Sequence, residues 1–430
     1  MYTRFGFVLP IGLLLAGCSC DSNDDDQVSE PTWRLARADN RPGITPVAAV
    51  VADLDGDGKM DIASAWRGSK DTDPAIPGLI AVHLNNGNNQ WLTLVAEKST
   101  RYNDVNTLAV GDINEDGHPD LVVAAQDRII YLRAPEDPRN LPGVPGTTTW
   151  EPFDLDASIG EDFKAWFDVK VGQIDGVDGP DIVAALSDDG RLVWFMAPED
   201  PDVPADWTLQ TIDDETRKEC DSVLLHDLNG DTRLDVISSA PGEEQNGISW
   251  YEQPADLSED PWVKHPMSSF AGATRIALGD LDGDGKPDLA AVSATDRRAA
   301  WMTQPATVTS RWGGFIMADF SRGFEEQTPV DVAIADIDRD GANDIVIAGT
   351  DIASLAWFKP GSDKTLLWIE HVIDQPEDFD IGLIGLGDIN ADNYVDLAVP
   401  EDSSATDSDD GIYWYRNPYF STQPSTQPAA

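Results

Sequence analysis

The chain has 430 residues, with 78 acidic against 29 basic side chains, and a formal charge of −49. So negative a surface repels nucleic acid and anionic lipid, which excludes nucleic-acid binding and leaves the membrane within reach only through a separate anchor. The length would serve two or three ordinary domains, but one motif recurs along nearly all of it and argues for a single closed body.

The first segment reads as an export signal spanning residues 1–17. "MYTR" supplies a short basic start, and "FGFVLPIGLLLAG" is an apolar run of 13 residues, too short to span a bilayer comfortably. The run ends in "LAGC", which resembles the lipobox of bacterial lipoproteins. That resemblance implies export, cleavage before Cys18 and lipidation of Cys18. Ser19 stands where an Asp would retain such a protein in the inner membrane, which implies the outer membrane. Several acyl chains, at roughly 0.8 kcal/mol per buried CH₂, would anchor the protein stably. "SCDSNDDDQVSE" is too polar to pack, so residues 18–30 read as an acidic tether and 421–430 as a polar tail. Whether Cys20 pairs with Cys220 in an oxidising compartment stays open at this point.

Next comes "DLDGDGKMD", residues 53–61, with acids at alternate positions and one glycine breaking the spacing. Carboxylates a few ångströms apart repel by about 1 kcal/mol per pair in water, and more where solvent is partly excluded, unless a hard cation sits between them. Gly58 permits the bend that wraps the backbone round such an ion. An all-oxygen donor set of this density suits Ca²⁺ better than Mg²⁺. An EF-hand is excluded, because its twelfth position needs Glu and Ser64 stands there. The spacing returns as "DINEDGHPD" at 112, "QIDGVDGPD" at 173, "DLNGDTRLD" at 227, "DLDGDGKPD" at 280, "DIDRDGAND" at 336 and "DINADNYVD" at 388. Seven copies at steps of 52 to 61 residues signal a propeller or array.

Around each loop the same strand signals recur. A short apolar run such as "TLAVGD" precedes it and another such as "DLVVAA" follows; then come an alternating run with aromatics ("RLVWFMAP") and a run led by tryptophan ("WTLQTID"). Four antiparallel strands repeated seven times predict an all-β, seven-bladed propeller over residues 31–420. The last repeat lacks its tryptophan-led strand, and "WRLARAD" supplies one ahead of the first loop. The N-terminal strand at 31–39 is therefore predicted to complete the last blade and close the ring. Trp33, Trp91, Trp150, Trp207, Trp262, Trp312 and Trp368 share one repeat position, which suits packing between blades. The residue before each loop is small (Ala52, Gly111, Gly172, Gly279, Ala335, Gly387) except His226.

The seven-fold pattern small-D-h-(D/N)-x-D-G-x-x-D resembles the FG-GAP or VCBS repeat family, the calcium-loop propellers that include integrin α-subunit heads. The resemblance implies Ca²⁺ held by side chains at loop positions one, three, five and nine and by the carbonyl of position seven. Carried over, loop one would use Asp53, Asp55, Asp57, Asp61 and the carbonyl of Lys59, and loop two Asp112, Asn114, Asp116, Asp120 and His118. Loop four would use Asp227, Asn229, Asp231, Asp235 and Arg233, with Thr232 in the glycine slot. Loop five would use Asp280, Asp282, Asp284, Asp288 and Lys286, and loop six Asp336, Asp338, Asp340, Asp344 and Ala342. Loop seven would use Asp388, Asn390, Asp392, Asp396 and Tyr394, with Asn393 in the glycine slot. Loop three has Gln173 and Val177 at positions one and five, which leaves Asp175, Asp178 and Asp181 in poor register and predicts a weak or empty site; six sites remain.

A saturated oxygen cage leaves no position open for a substrate, so the metal is expected to be structural. Ligand capture is expected at the opposite face, where loops would gather Trp66, Arg67, Arg101, Tyr102, Lys164, Trp166, Arg217, Lys218 and Arg322 on an otherwise acidic body. The expected role is a binding or adhesion module, monomeric in its body, for a glycan or protein ligand. Two alternatives are a lyase- or dehydratase-like enzyme acting on polysaccharide and a passive subunit of an envelope complex. No H-E-x-x-H or G-x-S-x-G motif occurs, so no catalytic residue is assigned.

Overall fold

Each acidic loop joins two strands whose pairing starts at the loop's own ninth residue. Ala52 faces Asp61, Gly111 faces Asp120, Gly172 faces Asp181 and His226 faces Asp235; Gly279 faces Asp288, Ala335 faces Asp344 and Gly387 faces Asp396. Repetition of one register shows that the loop sets the hairpin, as connection length does elsewhere. The computed structural model describes residues 32–41, 44–68, 74–125, 128–140, 150–155, 166–186, 190–213, 220–241, 247–268, 270–321, 328–350, 354–364, 368–374, 379–403 and 410–419. The export signal, Cys18, the tether with Cys20, and the polar tail lie outside them; Cys220 is buried.

Blade one comprises Thr45–Ala52, Asp61–Arg67, Gly78–Asn85 and Trp91–Ser99, paired in that order from the ring axis outward. Blade two follows with Val105–Gly111, Asp120–Ala125, Arg128–Arg133 and Glu151–Asp154. Blade three has Trp166–Gly172, Asp181–Leu186, Leu192–Met196 and Thr208–Asp213, and blade four Ser222–His226, Asp235–Ser239, Ile248–Glu252 and Val263–Ser268. Blade five has Arg275–Gly279, Asp288–Ser293, Arg298–Thr303 and Gly313–Asp319, and blade six Thr328–Ala335, Asp344–Thr350, Ser354–Pro360 and Trp368–Asp374.

Blade seven takes its outer strand from the other end of the chain, as expected: Arg34–Asn40 pairs antiparallel with Gly411–Arg416, which pairs with Asp396–Ser403. Its inner strand departs from the predicted four-stranded plan, being split into Phe379–Ile381 and Gly385–Gly387. Between the pieces, Leu383 bridges to blade one: its N–H donates to Val47 O and its carbonyl accepts from Ala49 N, both at 2.9 Å. The ring is thus closed twice, within blade seven and across the seam.

The core is divided into seven clusters, each lying between two neighbouring blades. Each tryptophan of the shared repeat position joins the cluster between its own blade and the preceding one, from Trp150 between blades one and two to Trp91 between blades seven and one. Second strands such as Asp120–Ala125 and Asp288–Ser293 are buried along their whole length. Both faces meet a neighbouring blade, so these runs show no apolar–polar alternation. The small residue before each loop also has a packing cause. A Cβ at Gly111 would meet Val171 at 2.5 Å, and one at Gly279 would meet Ile334 at 2.6 Å, each on the next blade's inner strand.

Candidate metal centres and axial mouth

The ninth aspartate of every loop is fully buried or nearly so. One carboxylate oxygen accepts the N–H of loop position two: Leu54 to Asp61 at 2.9 Å, Ile113 to Asp120 at 3.0 Å, Leu228 to Asp235 at 3.1 Å and Leu281 to Asp288 at 3.0 Å. The other accepts an N–H from the end of the blade's third strand, that of Asn85, Ala134, Ala197, Gln253, Gln304 or Asn417. Each such aspartate therefore ties the loop to the far side of its own sheet. Burial outweighs these donors and pushes the carboxyls of Asp61, Asp120 and Asp396 up to about 7. In blade six the second donor is missing because Pro360 stands at that position and has no N–H. Asp344 Oδ1 is accordingly buried without a hydrogen-bond partner, and burial raises this carboxyl further, to about 8.

Positions one, three and five form the mouth of each cage. Asp53 accepts the N–H groups of Asp57 at 3.1 Å and Gly58 at 2.9 Å, and Asp112, Asp227, Asp280, Asp336 and Asp388 repeat the arrangement. Carboxylate oxygens converge to within 4.8 Å in Asp53, Asp55 and Asp57, in Asp280, Asp282 and Asp288, and in Asp336, Asp338 and Asp344. The unpaired buried oxygens of Asp344 and Asn390 lie in loops six and seven. Crowded hard oxygens with buried lone pairs to spare fit Ca²⁺, which would be held by the residues assigned above and would supply charge neutralisation and a cross-link. Thr232 adopts φ +72° and Asn393 φ +68° in the glycine slots; the first is a conformation that a β-branched residue resists.

Basic side chains lean on the same carboxylates. Lys59 and Lys286 pair with Asp57 and Asp284 inside their own loops. Arg139 reaches Asp55 and Asp57 from blade two, and Lys359 pairs with Asp338 and Asp340. The sequence gives no local sign of the Arg139 contact, which spans 84 residues.

Loop three is built differently. The Gln173 side-chain N–H₂ donates to the carbonyls of Asp178 at 3.0 Å and Gly179 at 2.9 Å, and its oxygen accepts Gly176 N at 2.8 Å. A neutral amide thus holds the turn that acids surround elsewhere. One expectation needs correction: Asp181 is in register. It accepts Ile174 N at 2.8 Å and Ala197 N at 2.9 Å, as Asp61, Asp120, Asp235 and Asp288 accept the equivalent pair, because that position serves the sheet.

At the opposite end of the inner strands the ring opens into a mouth of about 430 Å³, which shares Arg275 and Leu383 with an axial cavity of about 340 Å³. Inner strands of blades one, two, three and six carry a β-bulge there, leaving Val47, Asn106, Phe167 and Val330 out of register. All four of these residues line the mouth, beside Arg67, Arg275, Asp380 and Asp402. Arg67 donates to Val105 O at 3.1 Å and to Asn106 Oδ1 at 3.2 Å. Deeper in, Asp168 accepts from Lys170 at 2.9 Å and Val223 N at 3.0 Å, with Arg275 at 3.9 Å. Asp331 accepts Ile384 N at 2.8 Å, and burial raises its carboxyl to about 6.

Of the basic and aromatic residues expected on this face, Arg67 lines the mouth, whereas Arg101 pairs with Asp154 at 3.1 Å and does not line it. Trp66, Tyr102 and Trp166 are instead fully buried, a correction to the expected exposed aromatics. Their large apolar surfaces fill the inter-blade clusters, and the Trp66 indole N–H is satisfied by Ser64 at 2.8 Å. Lys164, Arg217, Lys218 and Arg322 lie outside the described residues. Phe167 was missed because a bulge leaves no periodic signal, and Arg275 because it opens a regular inner strand with no motif to mark it.

The described body is a seven-bladed propeller with acidic hairpin loops at one end and a polar mouth at the other, an architecture that suits a binding module. The FG-GAP-like repeat family model matches residues 53–123 and 227–291, which contain loops one and two and loops four and five; the chain therefore carries FG-GAP repeats. No curated protein sequence matches it. Among solved structures, one similar chain is an Agrocybe aegerita lectin studied for its recognition of non-reducing terminal N-acetylglucosamine. The identity is 14%, covering 77% of this chain and 81% of the lectin, with a TM-score of 0.49. Another is a luciferin-regenerating enzyme, at 14% identity, 73% and 91% coverage and a TM-score of 0.43. Neither likeness bears on function.

Proposed function

We propose that this protein is an exported, lipid-anchored binding module of the outer membrane. Its propeller is held by Ca²⁺ in the six acidic loops, and its ligand, a glycan or a protein segment, docks at the axial mouth. The observation that supports this is the convergence of the bulge residues Val47, Asn106, Phe167 and Val330 on one cavity beside Arg67 and Arg275. Bulges re-aim side chains at functional rims, and a concave site with a few converging polar groups is where small ligands and peptide segments bind. The metal loops stand at the other end and act through rigidity alone. The anchor reading rests on "LAGC" and Cys18.

The test is a screen of the full chain against glycans and envelope proteins, followed by Phe167→Ala and Arg275→Ala. Binding weakened by about tenfold or more in either variant, with melting unchanged, supports the mouth. A ligand held equally well by both variants overturns it. Release of shortened chains from an acidic polysaccharide, abolished by Arg67→Ala, would replace the binding reading with an enzymatic one. Loss of palmitate labelling in Cys18→Ala tests the anchor.

A further inference from the structure

A cavity larger than the mouth is a cleft of about 760 Å³ between blades three and four, on the side of the acidic loops, where it adjoins loops three and four. The corresponding cleft between blades seven and one measures about 230 Å³. In blades two and six the connection between the third and fourth strands reaches across to the preceding blade with a cation. Arg139 reaches loop one and the Asn85–Asn86 backbone and side chain, while Lys364 Nζ donates to Leu281 O of loop five at 2.7 Å. In blade four that connection brings Pro254, Asp256 and Leu257 to the cleft, and no Lys or Arg from it lines the cavity.

The wall differs as well. The aromatic residue in the middle of the third strand is covered by a ring from the fourth strand in blades two, four, five and six. These pairs are Tyr131 with Phe153 at 5.3 Å, Trp250 with His265 at 4.5 Å, Trp301 with Phe315 at 5.4 Å and Trp357 with His371 at 4.3 Å. In blade three the residue opposite Trp194 is Gln210, which is exposed, and both line the cleft. Gln253, 2% exposed, forms part of the floor; its Nε2 donates to Ile174 O, which can only accept, so the amide orientation is fixed. Its carbonyl oxygen is then left buried with no hydrogen-bond partner. A buried unpaired acceptor has lost its water without replacement and calls for a donor.

The charges at the cleft are already engaged. Asp175 accepts Val177 N, Asp256 accepts from Ser258, and Arg233 pairs with Asp231. What remains on offer is the amides of Gln210 and Gln253, an indole, and apolar contact from Met196 and Leu257. Amides that pair with hydroxyl groups beside an apolar wall, where each lining charge already has a hydrogen-bond or ion-pair partner, match the alternating hydroxyl and C–H faces of an uncharged sugar, and the volume is that of a small-ligand site. We propose that the cleft between blades three and four is a binding site for a neutral saccharide, separate from the axial mouth.

The test probes the full chain on an array of neutral mono- to trisaccharides and repeats it with Gln210→Phe. This substitution supplies the covering ring that blades two and five possess, at an exposed strand position where Phe is tolerated. The expected result is retention of at least one neutral sugar, weakened about tenfold or more in Gln210→Phe and unchanged in Arg275→Ala, with all three chains melting alike. No neutral sugar retained, or retention that survives Gln210→Phe, overturns the proposal. Retention lost in Arg275→Ala instead would put the sugar at the mouth, which also overturns it.

Discussion

Loops three and six carry the same nine-residue spacing and have kept opposite halves of it. Loop six has every acid, with Asp336, Asp338 and Asp344 converging, yet one oxygen of its ninth aspartate lacks a donor because Pro360 offers no N–H. Loop three has lost the acids at positions one and five to Gln173 and Val177, yet Asp181 keeps both of its backbone donors. The motif is therefore two devices laid over one another. Positions one, three and five gather negative charge that a cation would neutralise; position nine joins that cluster in loops five and six and also ties the hairpin to its sheet, so it is needed with or without a metal.

The largest separable effect is expected where only the second device remains. Asp181→Ala strands the buried N–H groups of Ile174 and Ala197 and should cost about 3 kcal/mol in chemical denaturation, equally in Ca²⁺ and in chelator. A cost that vanished in chelator would merge the two devices again. Asp340→Ala in loop six should cost nearly as much, about 2.7 kcal/mol at Ca²⁺ a hundredfold above Kd, and almost nothing once chelator is present.

Acidity should divide the two forms of the protein. Burial holds Asp61, Asp120 and Asp396 up to about 7 and Asp344 up to about 8, so the folded state binds protons more tightly than the unfolded one. Without divalent cations, Tm should then rise as pH falls from about 8 towards about 5, since stability increases wherever the native state holds the extra protons. With Ca²⁺ the trend should reverse, because the ligands must be ionised. The same slope in both conditions would sink this assignment.

Two smaller effects would sharpen the comparison. Thr232→Gly should stabilise loop four by about 1 kcal/mol by relieving its φ of +72°. Pro360→Asn should return an N–H to Asp344 and mimic Asn417 of blade seven. Its net gain, read in chelator, should stay below about 1 kcal/mol, because the unfolded chain also gains freedom.

Seven blades and their closure by the strand around Trp33 were legible because repetition amplifies a weak motif into a register. The converging acids of loops one, five and six were legible for the same reason. Asp181 was misread because the spacing was judged as a ligand set, when its buried partners Ile174 and Ala197 belong to the sheet. Trp66, Tyr102 and Trp166 were placed on a surface because they flank loops, and a single sequence does not record which side of a strand end faces the next blade. The mouth depends on bulges at Val47, Asn106, Phe167 and Val330, and one extra residue in a strand breaks the period by which strands are read.

Metal stoichiometry tests the central claim most directly. Calcium measured on the purified chain, on Asp181→Asn and on Asp340→Ala should give six ions, six ions and five, because loop three contributes none and position nine of that loop serves the fold. One or two ions on the native chain, or the loss of an ion in Asp181→Asn, would contradict it.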